Sequence, residues 1–110
     1  MNCDFITVVA RIKAKQGKES YVQGELLKLI EPTRAESGCV NYDCHESTTE
    51  AGLFLFYENW KTERDVDQHL QTAHVQNAFQ KLADSLETPP ELTFWNMISK
   101  LSPQSFNSQR

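Results

Sequence analysis

The sequence predicts an α+β domain of two layers, four antiparallel strands with helices on one face. Three observations predict it. β-branched and aromatic residues gather in four separate runs; two intervening stretches carry apolar residues at helical spacing; and together they run β-α-β-β-α-β. A chain of 110 residues accommodates one such domain around one modest core.

Phe5 to Lys13 (FITVVARIK) reads as the first strand, and Gly17 punctuates it. A helix follows from about Lys18 to Ser37, with Val22, Leu26, Leu29 and Thr33 on one stripe and Tyr21 and Ile30 flanking it. Pro32 is expected to kink this helix or end its regular part near Glu31, and Ser37-Gly38 to stop it. Cys39 to Ser47 reads as the second strand, with Val40, Tyr42 and Cys44 on one face and Asn41, Asp43 and His45 on the other. A polar turn through Glu50, Ala51 and Gly52 leads to Leu53 to Trp60 (LFLFYENW), the clearest strand of the chain. Thr62, with Asp65 three residues later, resembles a capping box opening the next helical region. That region carries Val66 and Leu70, then Val75, Ala78, Phe79, Leu82 and Leu86, and its stripe loses phase near Thr72-Ala73, which predicts a break. Pro89-Pro90 ends it, and Leu92 to Lys100 (LTFWNMISK) forms the last strand. Residues 1–100 are expected to be the domain and residues 101–110 a mobile Ser/Gln/Asn-rich tail.

This order is the split βαβ pattern of a ferredoxin-like fold. Its helices cover one face of the sheet, yet the strands are apolar on both parities. Phe54 and Phe56 stand against Leu53, Leu55 and Tyr57, and Phe94 and Ile98 against Trp95 and Met97. The second apolar face calls for a cover, and a two-fold homodimer is the simplest one.

Hydrophobic residues make up 39% of the chain and charged residues 24%, an ordinary globular mix. The net charge of -4, without any Lys/Arg block, argues against nucleic acid or an anionic membrane as main partner. The start, Met1-Asn2-Cys3-Asp4, lacks the layout of a secretion signal, and no apolar run approaches the roughly 20 residues of a membrane span. The expected compartment is the cytoplasm, with Cys3, Cys39 and Cys44 as free thiols. On a regular strand, Cys39 and Cys44 would lie roughly 16 Å apart on opposite faces, beyond disulfide reach.

No glycine-rich phosphate loop, GxGxxG, HExxH, GxSxG or paired-cysteine motif occurs. His69 and His74 are the leading candidates for chemistry. On an unbroken helix an i, i+5 pair diverges by about 140° and shares no ligand. With a break near Thr72, both rings can turn toward one cavity and accept protons there. The plainer alternative makes His69 a half-buried neighbour of Val66 and Leu70, and His74 a surface residue. His45 is expected to face solvent or the dimer seam. Trp60 reads as core or interface before ligand platform. Glu58, odd in an aromatic strand, reads as a salt-bridge or capping residue first and a proton carrier second. Asn41, Tyr42 and Tyr57 are candidates for hydrogen bonds to a polar aromatic ligand, whereas Phe94 and Trp95 read as packing.

Glu36-Ser37-Gly38-Cys39-Val40-Asn41-Tyr42, then Phe56-Tyr57-Glu58-Asn59-Trp60, then Asp67-Gln68-His69-Leu70-Gln71-Thr72-Ala73-His74, resembles the antibiotic biosynthesis monooxygenase family. Within that family the chain is similar to the quinol monooxygenases and to an enzyme that processes a phosphorylated autoinducer, and the likeness runs from about Phe5 to Lys100. The resemblance implies a dimeric α+β barrel with a pocket in each subunit between sheet and helices. It implies oxidation of a small quinol, phenolic or polyketide-like compound by dioxygen without metal, flavin or haem, the substrate anion itself being the reductant. It carries His69 and His74 over as the catalytic pair lining the pocket, His69 being favoured as base or substrate anchor, with Asn59 and Trp60 beside them; Tyr57 and Tyr42, from the reading of the residues above, complete the substrate-binding candidates. Haem-degrading relatives need an asparagine, a tryptophan and an axial histidine where this chain has Ala10, His69 and Phe79, so haem breakdown is not expected. The same fold hosts isomerases, decarboxylases and members with no shown activity, so a non-catalytic small-molecule-binding stress-response module and an isomerase or lyase on a small metabolite stand as alternatives.

Overall fold

The computed structural model describes residues 5–99. The expected tail 101–110, Lys100 and Cys3 lie outside them. Four strands, β1 (Ile6–Lys13), β2 (Cys39–Glu46), β3 (Leu53–Trp60) and β4 (Glu91–Asn96), form one antiparallel sheet in the order β2-β3-β1-β4. Helices α1 (Glu19–Leu27) and α2 (Ile30–Arg34) join β1 to β2, and α3 (Glu63–Leu70) and α4 (Ala73–Leu82) follow β3. The element order is the ferredoxin-like one that the hydrophobic periods predict.

The long first helix is two helices, and the break falls earlier than Glu31. Pro32 lies inside α2, while the chain breaks at Lys28–Leu29. A proline ring collides with the carbonyl four residues before it, here that of Lys28, so the disturbance appears one turn upstream. Val22, Leu26, Leu29 and Thr33 all lie buried along the predicted stripe. The capping box forms as predicted: the Thr62 hydroxyl accepts from the Asp65 N–H at 3.1 Å and donates to the Asp65 carboxylate at 2.8 Å. Thr72 caps α4 in the same way and also donates to the His69 carbonyl at 2.7 Å, so the predicted break becomes a tight corner.

β2 departs from regular alternation. A bulge between Cys39 and Asn41 sets Cys39 opposite Trp60 and Asn41 opposite Asn59, so Val40 is the extra residue and lies exposed. Val40 therefore leaves the Tyr42 face, and Cys39 joins Cys44 on the helix side instead of opposing it. The two thiols still cannot pair, because their partners on β3 are four residues, about 13 Å, apart. The β2–β3 turn closes on Gly52, whose φ of 80° suits glycine and whose N–H donates to Glu46 at 3.1 Å.

Phe54, Phe56, Glu58 and Trp60 face the helices together with Ile6, Val8, Ala10 and Ile12, and this side holds the core. The opposite face is mixed. Leu55, Tyr57 and Trp95 are exposed on it, beside a polar row in which Thr7, Asn59, Asn41, Asp43 and Arg34 are linked by hydrogen bonds. β4 ends at Asn96, short of the expected Lys100, and every residue in it is exposed. Phe94 pairs with Val8 on the helix side, yet the helices leave it 56% exposed. Among the described residues no helix is long and apolar enough to cross a membrane.

Gly38 sits where α2 hands over to β2, with α3 pressed against it. A Cβ there would lie 2.4 Å from the Asp65 Cβ. Gly38→Ala is expected to push back the first turn of α3 and lower stability by about 1–3 kcal/mol in urea unfolding. An unchanged midpoint would show that α3 yields freely at this point.

Candidate active site

Glu36, at the end of the α2 segment, is the meeting point of three stretches distant in sequence. Its Oε2 accepts from His69 Nδ1 at 2.9 Å and from His74 Nε2 at 2.8 Å. An ionised carboxylate can only accept, so the ring nitrogens facing it are the ones that carry protons. For a neutral His69 this leaves the lone pair on Nε2, which has no protein partner among the described residues. The corner at Thr72 makes the arrangement possible, since it cancels the divergence of an i, i+5 pair and brings the rings to 6.1 Å.

His69 is 3% exposed and forms part of the wall of a cavity of about 230 Å³ between sheet and helices. Val8 and Ala10 of β1, Tyr42 of β2, Phe56 and Glu58 of β3 and Phe79 of α4 also line it. Trp60 packs on the imidazole with centroids 4.5 Å apart, and Tyr42 meets it edge-on at 5.4 Å. Burial pulls His69 below the ordinary histidine range, against the opposing pull of Glu36. At neutral pH the ring is therefore an uncharged base beside an apolar space. Phe79 and Pro90 separate this cavity from an adjoining cleft of about 390 Å³.

Glu58 is 4% exposed and lies on the same wall. It makes neither the salt bridge nor the cap expected from its strand position. Its Oε1 accepts from the Trp60 indole at 2.9 Å, and burial raises its carboxyl to about 7. Burial likewise drives the Tyr42 phenol far above its usual range, so Tyr42 offers the cavity a neutral edge.

The other expected site residues lie elsewhere. His74 stands behind Glu36, on a surface groove of about 140 Å³ with Glu25, Lys28 and Lys81, and braces the carboxylate without lining the cavity. Trp60 is fully buried behind His69. Asn59 and Tyr57 belong to the far side of the sheet: Asn59 is held by Thr7 and Asn41, and Tyr57 is 41% exposed. The alternation of β3 puts Tyr57 out while Phe56 and Glu58 point in. Glu36, quoted only as part of a motif, is the residue to which sequence reasoning assigned no role. Its sole signal was a carboxylate beside a helix stop, 33 residues from the imidazole it holds.

The ligand-type atoms of Glu36, His69 and His74 lie within 4.8 Å of one another, so a metal is the other use to weigh. Bound zinc takes its ligands at about 2.0–2.2 Å, and to hold it the three groups would have to part and each ring would have to turn a lone pair toward the carboxylate side, where its N–H now points. The observed 2.8 and 2.9 Å separations are those of charge-assisted hydrogen bonds. Ala10, His69 and Phe79, the residues set against those of haem-degrading relatives in the sequence reading, all line the cavity wall. Phe79 has no atom that can ligate iron.

Glu58 ties stability to pH. A glutamate without this environment releases its proton near 4.5, whereas the fold retains it to about 7. Folding therefore loses stability as pH rises between those values, by up to roughly 3 kcal/mol. Glu58→Gln is expected to be the more stable protein above pH 7 in urea denaturation, with the gap closing toward pH 4.5. A gap of constant size across that range would contradict the raised carboxyl.

Comparison with known proteins agrees with this frame. The profile of the antibiotic biosynthesis monooxygenase family matches residues 5–81. Protein sll1783 of Synechocystis is 34% identical over 94 residues, 86% of this chain, which in turn spans 64% of that relative's length. YcnE of Bacillus subtilis is 34% identical over 85 residues, covering 77% of this chain and 90% of its own. The structure of Rv0793 from Mycobacterium tuberculosis superposes with a TM-score of 0.83 at 28% identity, over 89% of this chain and 99% of that one. With the fold and the profile in agreement, this chain belongs to the antibiotic biosynthesis monooxygenase family.

Proposed function

We propose that this protein is a cofactor-independent monooxygenase that oxidises a small quinol or phenolic compound with dioxygen. The observation that carries the proposal is the Glu36–His69 pair, which sets a neutral imidazole lone pair against an apolar cavity. YcnE and Rv0793 both bear the provisional name of monooxygenase, which supports the same reading. His69 Nε2 takes the phenolic proton, and Glu36 steadies the imidazolium that results. The phenolate then reduces dioxygen directly. In a phenol-to-quinone conversion, one oxygen atom becomes the new ring carbonyl. The ring C–H and hydroxyl hydrogens leave with the other as water, so electrons balance without an outside reductant. The dry wall raises the energy of the phenolate and shields the oxygen adduct from solvent. At about 230 Å³ the cavity lies below the roughly 300–1,000 Å³ of common ligand pockets, which suits a compound of one or two rings.

The presence of a second proton carrier, Glu58, on the same wall favours one alternative, a proton-transfer isomerase or lyase. Oxygen distinguishes the two. With a panel of small quinols and phenols, the monooxygenase consumes dioxygen and forms quinone, and His69→Ala loses about 10²–10⁴-fold in rate. Turnover that persists without oxygen would replace the reading with the isomerase. Ligand binding without turnover would make the chain a small-molecule-binding module.

The working form is a two-fold homodimer closed through the outer sheet faces. Leu55, Tyr57 and Trp95 support this, because three exposed apolar side chains on one sheet face call for a cover. A cytoplasmic setting suits Cys39 and Cys44, whose thiols burial raises to about 11 and so leaves unreactive. Sedimentation at micromolar concentration is expected to find a dimer, and Trp95→Glu to shift it toward monomer. A wild-type protein that sediments as a folded monomer would remove the dimer from the proposal.

A further inference from the structure

Among the described residues Glu58 is the one acidic side chain of the cavity wall, and its bond to the Trp60 indole orients it. The Trp60 N–H occupies Oε1, so in the neutral acid Oε1 is the carbonyl oxygen and Oε2 carries the proton. Oε2 has no partner among the described residues, and no cation pairs with the group there. The same indole packs on His69. One rigid side chain thus holds two polar groups of opposite sense on an otherwise apolar wall: a donor at Glu58 and an acceptor at His69 Nε2. A ligand that satisfies both must bring one acceptor and one donor of its own, since a buried polar group left unpaired costs affinity.

We propose that Glu58 is a second anchor of the cavity, donating its acid proton to a ligand carbonyl while His69 accepts from a ligand hydroxyl. The ligand class is then an aromatic hydroxy-ketone or hydroxyquinone, and not a simple phenol. This rests on the assignment of His69 as proton acceptor made above and adds the ketone to it. The groups facing Glu58 leave its titration distinct. Tyr42 and Cys39 of β2 keep their protons well past neutrality, β1 and β4 present Val8, Ala10 and Leu92, and α3 presents His69. Glu36, between α2 and β2, adds negative charge that further disfavours ionisation of Glu58. The donor is present below about pH 7 and is lost above it.

Calorimetric titration without oxygen tests the anchor through 3-hydroxyacetophenone and 3-ethylphenol, a pair that differs chiefly in the carbonyl. At pH 6 the ketone is expected to bind the wild-type protein about tenfold more tightly than the ethylphenol, the worth of one good hydrogen bond. At pH 8 the advantage is expected to fall below about twofold. Glu58→Gln, whose amide still donates, is expected to keep the advantage at both pH values. Equal affinities of the two ligands at pH 6 in the wild type would overturn the proposal, as would the same loss at pH 8 in Glu58→Gln. Either result leaves untouched the oxygen uptake that tests His69 as base, so the two readings fail separately.

Discussion

The shared oxygen of Glu36 is the contact around which the site is organised. It reaches from the segment ahead of β2 to α3 and α4, and it holds His69 and His74 at once. Without it the His69 ring could adopt either tautomer, and the lone pair would not be committed to the cavity. The contact in turn needs the Thr72 corner, because a straight helix would carry His74 away from the carboxylate. Thr72 makes that corner with one hydroxyl that serves both helices, capping α4 while it satisfies the last turn of α3.

The low polarity of the cavity sets the protonation of everything on its wall. The same burial that lowers His69 raises Glu58 to about 7, so both groups are mostly uncharged just below neutral pH. Trp60 contributes to both, as a face for His69 and as a hydrogen-bond donor to Glu58.

Local signals were read where local physics decides. The cap at Thr62, the strand Leu53–Trp60 and the break between the histidines follow from side-chain chemistry within a few residues, whereas the cap that Thr72 supplies at that break emerges only in the structure. The antiparallel sheet with helices on one face followed from the element order. Effects that depend on partners distant in sequence were read less well. The upstream break at Lys28 needs the geometry of Pro32 against a carbonyl one turn earlier. Glu58 looked like a capping or salt-bridge group because nothing nearby in sequence reveals that it faces an apolar wall with only an indole for company. Asn59 and Tyr57 stand beside the motif residues in sequence but, by alternation, across the sheet from them in space. Glu36 was the hardest to see, since a carboxylate becomes an orienting group only once the fold brings two imidazoles to it.

The extra residue at Val40 bears on how β2 finds its place. A perfectly regular strand can slide along its neighbour by two positions and still present its apolar side inward, so alternation alone tolerates such errors. The irregularity removes that freedom. It works as a notch, because only one alignment puts the unpaired residue opposite the end of β3 while Tyr42 and Cys44 meet Glu58 and Phe56. Lengthening the chain between β2 and β3 would leave this notch intact, whereas deleting Val40 would erase it, leaving Cys39 opposite Trp60 on a strand free to slip. The tolerance of this hairpin to change is therefore lopsided, generous at the turn and narrow at the start of β2.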